Sequence, residues 1–290
     1  PVSTGEVVAS MTWEVMESGA CASYDGCMAT TFGSELRGWR TTRGMSQLDL
    51  ASHADVSQRH ISFLETGRSK PSREMVSHLA RALQVPLREQ NLLMLAAGHA
   101  PAYSETPLAE LPAITDVLQF MLDAHEPNMA IVVDRRWNVV ASNGAASRFL
   151  AWAFPEMPGW LTPPPNIMRL SLHPEGLRTR MAGWHAAGGA LLRRLERDAA
   201  SHPSDDELQR LVAEVRSYPD VDDFDGGRRT PEASDLIVPT TYVIEGTEVS
   251  LFTTIAVIGD AHDLTLAELR IETFWPADPA SRATWEAAFG

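Results

Sequence analysis

The side chains best suited to chemistry in this sequence follow Val56 in one short stretch. Gln58 and Arg59 are adjacent, His60 comes next, and Ser62 lies one step further on. Arg can donate two parallel hydrogen bonds to guanine, and Gln can make a bidentate contact with adenine, in the major groove of DNA. At the start of a helix such side chains project together toward base edges. The stretch therefore predicts contacts to double-stranded DNA.

Two short helices joined by a tight turn are needed to hold these side chains in place. Ser46 and Ser57 suit the N-caps of the two helices, because a serine oxygen accepts a backbone N–H of the first helical turn. Asp55 lies where the chain must turn sharply, and Asp tolerates left-handed backbone better than most residues. Gly67 fits the left-handed position that often ends a helix. The pattern predicts a helix-turn-helix.

Other side chains around this unit are expected to contact phosphates, which fix position rather than sequence. They lie at the start of the first helix or directly after the second helix: Gln47, Arg68, Ser69 and Lys70. Ser57, which caps the second helix, is also expected to belong to the DNA-binding surface. A preceding helix is predicted over Phe32–Arg43, with three arginines away from its apolar stripe. These either reach phosphates or form a solvated face: Arg37, Arg40 and Arg43.

Many positions in this region follow one family pattern: Ser46-Gln47, Leu50-Ala51, Val56-Ser57, Ile61-Ser62, Glu65, Gly67, Pro71-Ser72, and then Val76, Leu79, Ala80, Leu83 and Val85. The region resembles the XRE family of helix-turn-helix regulators, the Cro and repressor-like proteins. The family usually has Gly where this chain has Asp55. The resemblance implies a compact five-helix DNA-binding domain over residues 31–98; the alternative is an ordinary helix pair in an all-α domain.

A chain of 290 residues should form two domains by its length. Charge is distributed unevenly along it. The formal net charge is −14, but residues 31–100 contain nine Arg or Lys and six Asp or Glu. Residues 101–290 contain 15 bases and 28 acids. DNA would repel that acidic part, so it is predicted to sense a ligand or to mediate assembly.

Several classes of protein are not expected from this sequence. It contains no run of 18 apolar residues and no signal-peptide pattern, which predicts a cytoplasmic protein without membrane contact. The cysteines, Cys21 and Cys27, form no metal set with a nearby His. Neither a Gly-x-Ser-x-Gly elbow nor a phosphate-binding Gly-rich loop is present. No enzyme, metal or cofactor is expected.

The segment after residue 113 has the pattern of an α+β domain. Strands are predicted over 128–134, 137–142, 236–245, 248–258 and 268–275, with helices over 166–201, broken at His173-Pro174, and over 204–218. Two strands, helices and a three-stranded antiparallel meander form the order of PAS-like domains. The predicted fold class is a five-helix repressor-like domain (31–98), a linker (99–113) and a PAS-like domain (114–290) with a five-stranded antiparallel sheet and covering helices. Residues 1–30 are an N-terminal extension that is expected to be partly disordered, and a mobile loop is expected over 220–230.

Two phrases in this segment carry a second resemblance: Met129-Ala-Ile-Val-Val-Asp-Arg-Arg-Trp-Asn-Val-Val-Ala-Ser-Asn143 and Asn166-Ile-Met-Arg-Leu170. They are similar to the ligand-binding domain of MmyB-like regulators. The resemblance implies a fatty-acid-like or other lipophilic ligand, held in a cavity beneath the sheet.

Large, soft side chains are unusually frequent in this region and either line such a cavity or pack an ordinary core: Trp137, Phe149, Trp152, Trp160, Met168, Met181 and Trp184. A ligand carboxylate would be met by Asn166, Arg169 or Arg178. The function expected is a ligand-responsive transcription regulator that binds a near-palindromic operator as a homodimer. The alternative is that the second domain only dimerises or binds a protein partner.

Overall fold

The computed structural model describes residues 31–221, 239–244 and 246–290. The N-terminal extension with Cys21 and Cys27, the loop predicted over 220–230 from residue 222 onward, and the first residues of the strand predicted from Leu236 lie outside them. The described chain divides into two compact units. The first unit comprises residues 31–106 with the short segment 261–264, and the second unit comprises residues 107–260 and 265–290.

Five helices form the first unit, as predicted. They are α1 (Phe32–Thr42), α2 (Gln47–His53), α3 (Gln58–Glu65), α4 (Arg73–Ala82) and α5 (Leu87–Ala96). Ser46, Ser57 and Ser72 cap α2, α3 and α4, each accepting a backbone N–H three residues on. Asp55, between α2 and α3, adopts a left-handed backbone with φ of 49°. The predicted turn is therefore confirmed, with Asp in the conformation for which Gly is usual.

A close helix contact fixes α1 against the end of α3. A Cβ atom added at Gly33 would lie 2.5 Å from the carbonyl oxygen of Glu65 and 2.7 Å from that of Leu64. Only glycine permits this approach, because real Cβ atoms do not come so near to backbone oxygens. Gly38 lies in the same helix, but a Cβ atom added there would point into open space.

Gly33→Ala is expected to destabilise the first unit by about 1–3 kcal/mol, since backbone must shift to accept the methyl group. Gly38→Ala should instead stabilise it by about 0.5–1 kcal/mol, because Ala is the better helix former. Hydrogen exchange of the α1 and α3 amides in the full chain measures both effects. A stabilising effect of both substitutions would contradict the close contact at Gly33.

The second unit is built on one antiparallel sheet with the strand order β2-β1-β6-β5-β4-β3. Its strands are β1 (Ala130–Val133), β2 (Val139–Ser142), β3 (Met181–Ala182), β4 (Thr240–Ile244), β5 (Thr247–Val257) and β6 (Arg270–Pro276). Strands β4, β5 and β6 form the predicted meander, and Gly246 makes the β4–β5 turn with φ of +80°. The curled sheet with its helices is consistent with the predicted PAS-like fold.

The helices of the second unit are α6 (Pro112–Asp123), α7 (Gly144–Ala153), α8 (Ile167–Leu172), α9 (Trp184–Ser201), α10 (Asp206–Arg216), α11 (Leu264–Glu268) and α12 (Pro279–Phe289). Single 3-10 turns cover Leu108–Glu110 and Leu177–Arg180. Asn143 caps α7, accepting the N–H of Ala146.

Two expectations for this unit are wrong in detail. The sheet has six strands rather than five, because Met181 pairs with Tyr242 and makes Met181–Ala182 an edge strand. The same pairing interrupts the helix that was predicted to continue from Pro174 to Ser201. Gly183, with φ of +61°, turns the chain out of the strand and into α9.

Helices pack against both faces of the sheet. Helix α6 packs on one face, where Leu118 and Leu122 meet Val132 and Ile271 in an apolar cluster. The opposite face, called the inner face below, is covered by the larger core that includes side chains of α7–α10 and α12.

Candidate functional site

The first residues of α3 form an exposed polar surface. Gln58 and Arg59 are exposed, while His60 and Ser62 are half-buried. The Ser57 hydroxyl accepts the N–H of His60 at 3.2 Å, which leaves the helix start in regular geometry. Ile61 and Leu64 anchor the opposite side of α3 in the core. The helix thus presents its N-terminal side chains outward, as major-groove contact requires.

A cationic surface continues after α3. Arg68 and Lys70 are exposed and Ser69 is half-buried. The guanidinium carbons of Arg59 and Arg68 lie 5.1 Å and 5.9 Å from the ring centroid of Phe63, which holds both cations over one ring. Two arginines and a lysine on one surface suit contacts to phosphates and bases.

Gln47 is tied to the interior of the first unit through Glu65. Its Nε2 donates to Glu65 Oε2 at 2.8 Å, while Arg40 donates from Nε and Nη2 to the two oxygens of the same carboxylate at 2.6 Å and 3.1 Å. Burial disfavours the charged carboxylate, but the bonds from Arg40 and Gln47 outweigh it and lower the pKa of Glu65. Arg40 is therefore neither a solvated residue nor turned toward a phosphate.

The other two arginines of α1 differ from each other. Arg43 donates to the carbonyl oxygens of Leu83 and Gln84, so its guanidinium holds the end of α4. Arg37 is exposed and remains the α1 arginine for which a phosphate contact is still predicted.

The second unit contains a cavity between the inner face of the sheet and the covering helices. The cavity and its opening together contain about 900 Å³ of space that no atom fills. Part of this space is open to solvent. The wall is mostly apolar: Met129, Ile131, Val139, Ala146, Phe149, Leu150, Pro165, Ile167, Leu170, Leu177, Met181, Leu191 and Phe274. Such a wall favours a small apolar molecule.

Eight polar residues complete the wall: Ser142, Ser147, Ser171, Arg194, Thr240, Tyr242, Thr253 and Glu272. Arg194 Nη1 lies 3.1 Å from Glu272 Oε1, and the Glu272 side chain is 4% exposed. Burial raises the pKa of Glu272 and lowers the pKa of Arg194, although each charge partly offsets the shift of the other. Burial also raises the pKa of the Tyr242 phenol. The ion pair is the charged feature of an otherwise neutral wall.

Of the aromatic and sulfur side chains predicted to bind the ligand, Phe149 and Met181 line the cavity. Trp137 is fully buried, with the guanidinium carbons of Arg194 and Arg270 at 4.9 Å and 4.8 Å from its ring centroid. It supports the cavity through Arg194 and is not part of the wall.

Trp152 and Trp184 also lie outside the cavity wall. Trp152 packs against Phe149 and Phe289, while Trp184 packs beside His185 and under Arg178. Trp160 stacks on His173 with centroids 3.9 Å apart, and Met168 is buried in the core. These side chains are core and scaffold around the cavity.

The three residues expected to meet a ligand carboxylate have other partners. Arg169 makes a bidentate pair with Glu214, with both bonds at 2.8 Å. Asn166 caps α8 and donates to the carbonyl oxygen of Arg136. Arg178 donates to the carbonyl oxygen of Pro219. None of the three lines the cavity described above.

The charged residues that do line it, Arg194 and Glu272, were missed from the sequence. Alternation along β6 places Arg270, Glu272 and Phe274 on one face and Ile271 on the other. A polar residue in such an alternation usually faces solvent. Here α6 covers the face of Ile271, so Arg270 and Glu272 lie on the inner face instead. Nothing in the sequence around β6 indicates this orientation.

The described residues offer neither a membrane-spanning helix nor a metal site. Within residues 31–221, 239–244 and 246–290, none of the helices has both the length and the apolar character needed to cross a bilayer. The same residues contain no group of three His, Cys, Asp or Glu that is arranged to hold a metal ion.

Comparisons with known proteins place both units in regulator families. The family described as "MmyB-like transcription regulator ligand binding domain" matches residues 114–288, more than half of the chain, and a helix-turn-helix family matches residues 36–90. "Transcriptional regulator ClgR" of two Mycobacterium tuberculosis strains is 35% identical over 81 residues, 28% of this chain and 70% of the relative. "Uncharacterized HTH-type transcriptional regulator RghRB" of Bacillus subtilis (strain 168) is 37% identical over 75 residues, 26% of this chain and 52% of the relative.

Proposed function

Since the chain belongs to the MmyB-like transcription regulators, DNA-binding proteins with a ligand-binding domain, we propose that its second unit senses a small lipophilic, fatty-acid-like molecule. The observation that supports this ligand class is the apolar cavity on the inner face of the sheet. A flexible acyl chain fits walls of Met, Leu, Ile and Phe. The proposed place of action is the cytoplasm, where the operator DNA lies.

The alternative is a second unit that only dimerises or binds a protein partner. The two functions differ in whether a small molecule occupies the cavity. Denaturing extraction of the purified full chain, followed by mass spectrometry, separates them. A stoichiometric acyl-chain or other lipophilic species supports the sensor. An empty extract, together with no thermal shift on adding fatty acids or fatty alcohols, favours the alternative.

We further propose that two copies of the chain bind one operator. A helix-turn-helix dimer places its two recognition helices in successive major grooves, so the half-sites should be near-palindromic and about one helical turn apart. Ligand in the cavity would change how the two DNA-binding units are held. Such control requires different ligand affinities in the DNA-binding and non-binding arrangements.

Arg59→Ala is expected to weaken operator binding by about 1–3 kcal/mol and to relax the preference at one base pair, because Arg59 is exposed at the start of α3. The matched control is Lys70→Ala, also an exposed cation but placed after the helix. It should weaken binding to all sequences alike and reduce the salt dependence. Fluorescence anisotropy on an operator and its single-base variants measures both. Uniform loss with Arg59→Ala would make Arg59 a phosphate contact.

A further inference from the structure

Glu272 occupies an unusual place for an acid. It lies in β6, an interior strand of the sheet, where β1 places Ile131 and β5 places Ile255 opposite it. The residue is 3% exposed, yet it lines the cavity. A carboxylate in such surroundings is costly unless a cation is paired with it. Its position is therefore one at which ligand and protein charges interact strongly.

Charges around Glu272 are balanced without any ligand. Helix α9 contributes Arg194, whose Nη1 lies 3.1 Å from Glu272 Oε1, and Asp198, which is paired with Arg270 of β6. Tyr242 of β4 also faces Glu272, as a neutral phenol. Two arginines thus match two carboxylates. Among the described residues of the cavity wall, Arg194 is the only base, and Glu272 already holds it.

A ligand carboxylate would disturb this balance. To meet Arg194 it would have to lie close to the carboxylate of Glu272, and like charges at that distance repel strongly in a site of low dielectric. An alcohol, ester or amide can accept from Arg194 or Tyr242 without adding a charge. A carboxylate can enter without a charge penalty only if one of the two acids binds a proton from solvent.

We propose that the Arg194–Glu272 pair makes the cavity select acyl-chain ligands with an uncharged polar end, and that a carboxylate ligand binds only together with a proton on Glu272. This inference rests on the proposed function of the cavity and specifies the ligand class. Burial raises the pKa of Glu272, and a raised pKa favours such proton uptake.

The test is isothermal titration calorimetry of the full chain with 1-decanol and decanoic acid, each at about pH 8 and about pH 7. Titration in two buffers with different ionisation enthalpies gives the number of protons taken up. We expect 1-decanol to bind at least about tenfold more tightly than decanoate at the higher pH, which is about 1.4 kcal/mol. Decanoate should take up about one proton and bind about tenfold more tightly at the lower pH, while 1-decanol should show neither effect.

An apolar wall alone also favours the alcohol, so a variant is needed. Glu272→Gln keeps the side-chain shape but leaves Arg194 as an unpaired cation. It should tighten decanoate binding by about tenfold or more and abolish its proton uptake. The matched control is Glu214→Gln, which removes an acid from the Arg169 pair outside the cavity wall. This control should bind decanoate with the affinity and the proton uptake of the unsubstituted chain.

Decanoate binding as tight as 1-decanol binding at about pH 8, without proton uptake, would overturn this inference and leave the lipophilic sensor intact. If neither compound binds the unsubstituted chain or the Glu272→Gln variant, both the inference and the proposed function are overturned. Should Glu272→Gln fail to fold, the proton uptake of the unsubstituted chain decides alone.

Discussion

Alanine in place of Glu65 is expected to destabilise the first unit by about 3–5 kcal/mol, because it leaves the largely buried Arg40 guanidinium without its carboxylate. The side chains of Arg40 and Glu65 are only 13% and 3% exposed. Arg40 also donates from Nη1 to the carbonyl oxygen of Met45, and Gln47 donates to Glu65. Glu65 thus connects the end of α3 to α1 and to the start of α2, and operator binding should be lost with it.

The matched control for this prediction is Glu105→Ala. Glu105 makes a bidentate pair with Arg88 in the same unit, but its side chain is 51% exposed. Exposed pairs contribute about 0.2–1 kcal/mol, so this variant should stay close to the unsubstituted chain. Hydrogen exchange of the α1 and α3 amides and operator binding by anisotropy give the two results. If both variants lost equally little amide protection and operator affinity, the central role of Glu65 would be contradicted.

The Glu65 pair also gives a pH dependence with a definite sign. The pKa of Glu65 is lowered in the folded chain. A carboxyl with a lowered folded pKa adds stability above its unfolded pKa and loses it as the pH falls through the folded value. Protection of the α1 and α3 amides should therefore decrease on acidification of the unsubstituted chain, and this part of the decrease should be absent in Glu65→Ala.

Asp205→Ala is the second substitution with a large expected effect, about 3–5 kcal/mol on the second unit. The Asp205 side chain is 1% exposed and accepts from Arg135 Nε at 2.6 Å and from Arg136 Nε at 3.0 Å. It also caps α10, accepting the N–H groups of Glu207 and Leu208. The residue thereby joins the β1–β2 turn to α10.

Acid titration should reveal the same contact. Burial opposes ionisation of Asp205, but the hydrogen bonds from Arg136 and Arg135 outweigh it and lower its pKa to about 2, from the ordinary 3.8. The ionised form then adds about 2 kcal/mol that is present above about pH 4 and is lost as the pH falls toward 2. Urea unfolding followed by circular dichroism at a series of pH values measures this loss.

Asp206→Ala is the matched control for Asp205→Ala, because Asp206 is the next residue and is exposed. Its replacement should change stability by no more than about 0.5 kcal/mol. If Asp205→Ala proved as mild as Asp206→Ala, the buried contact with the two arginines would contribute little to the second unit.

The first unit was predictable from the sequence because its signals are local. Ser46 and Ser57 cap helices through atoms three residues away, and Asp55 makes the turn with its own backbone. The role of Glu65 was not predictable, although the resemblance included the residue. Its partner Arg40 is 25 residues away, and only the folded unit brings the two together.

The second unit was less predictable because its cavity depends on contacts distant in sequence. Phe149 faces the cavity, whereas Trp152, one helical turn on, packs against Phe289 of α12, a helix that the sequence did not suggest. Met181 forms an edge strand only because Tyr242 pairs with it. The abundance of aromatic residues left a cavity wall and an ordinary core as alternatives, because the orientation of each ring is set by tertiary packing.

The proposed regulation is that a ligand in the second unit controls DNA binding by the first. Its most direct test measures the affinity of the delipidated full chain for its operator by fluorescence anisotropy, with and without saturating 1-decanol. We expect the affinity to change by about 5–150-fold, the usual range of coupling between two sites. Ala146→Phe, which places a bulky ring in the cavity, should retain operator binding but lose the response of that binding to 1-decanol. An operator affinity that stays the same while calorimetry records 1-decanol binding would contradict the claim.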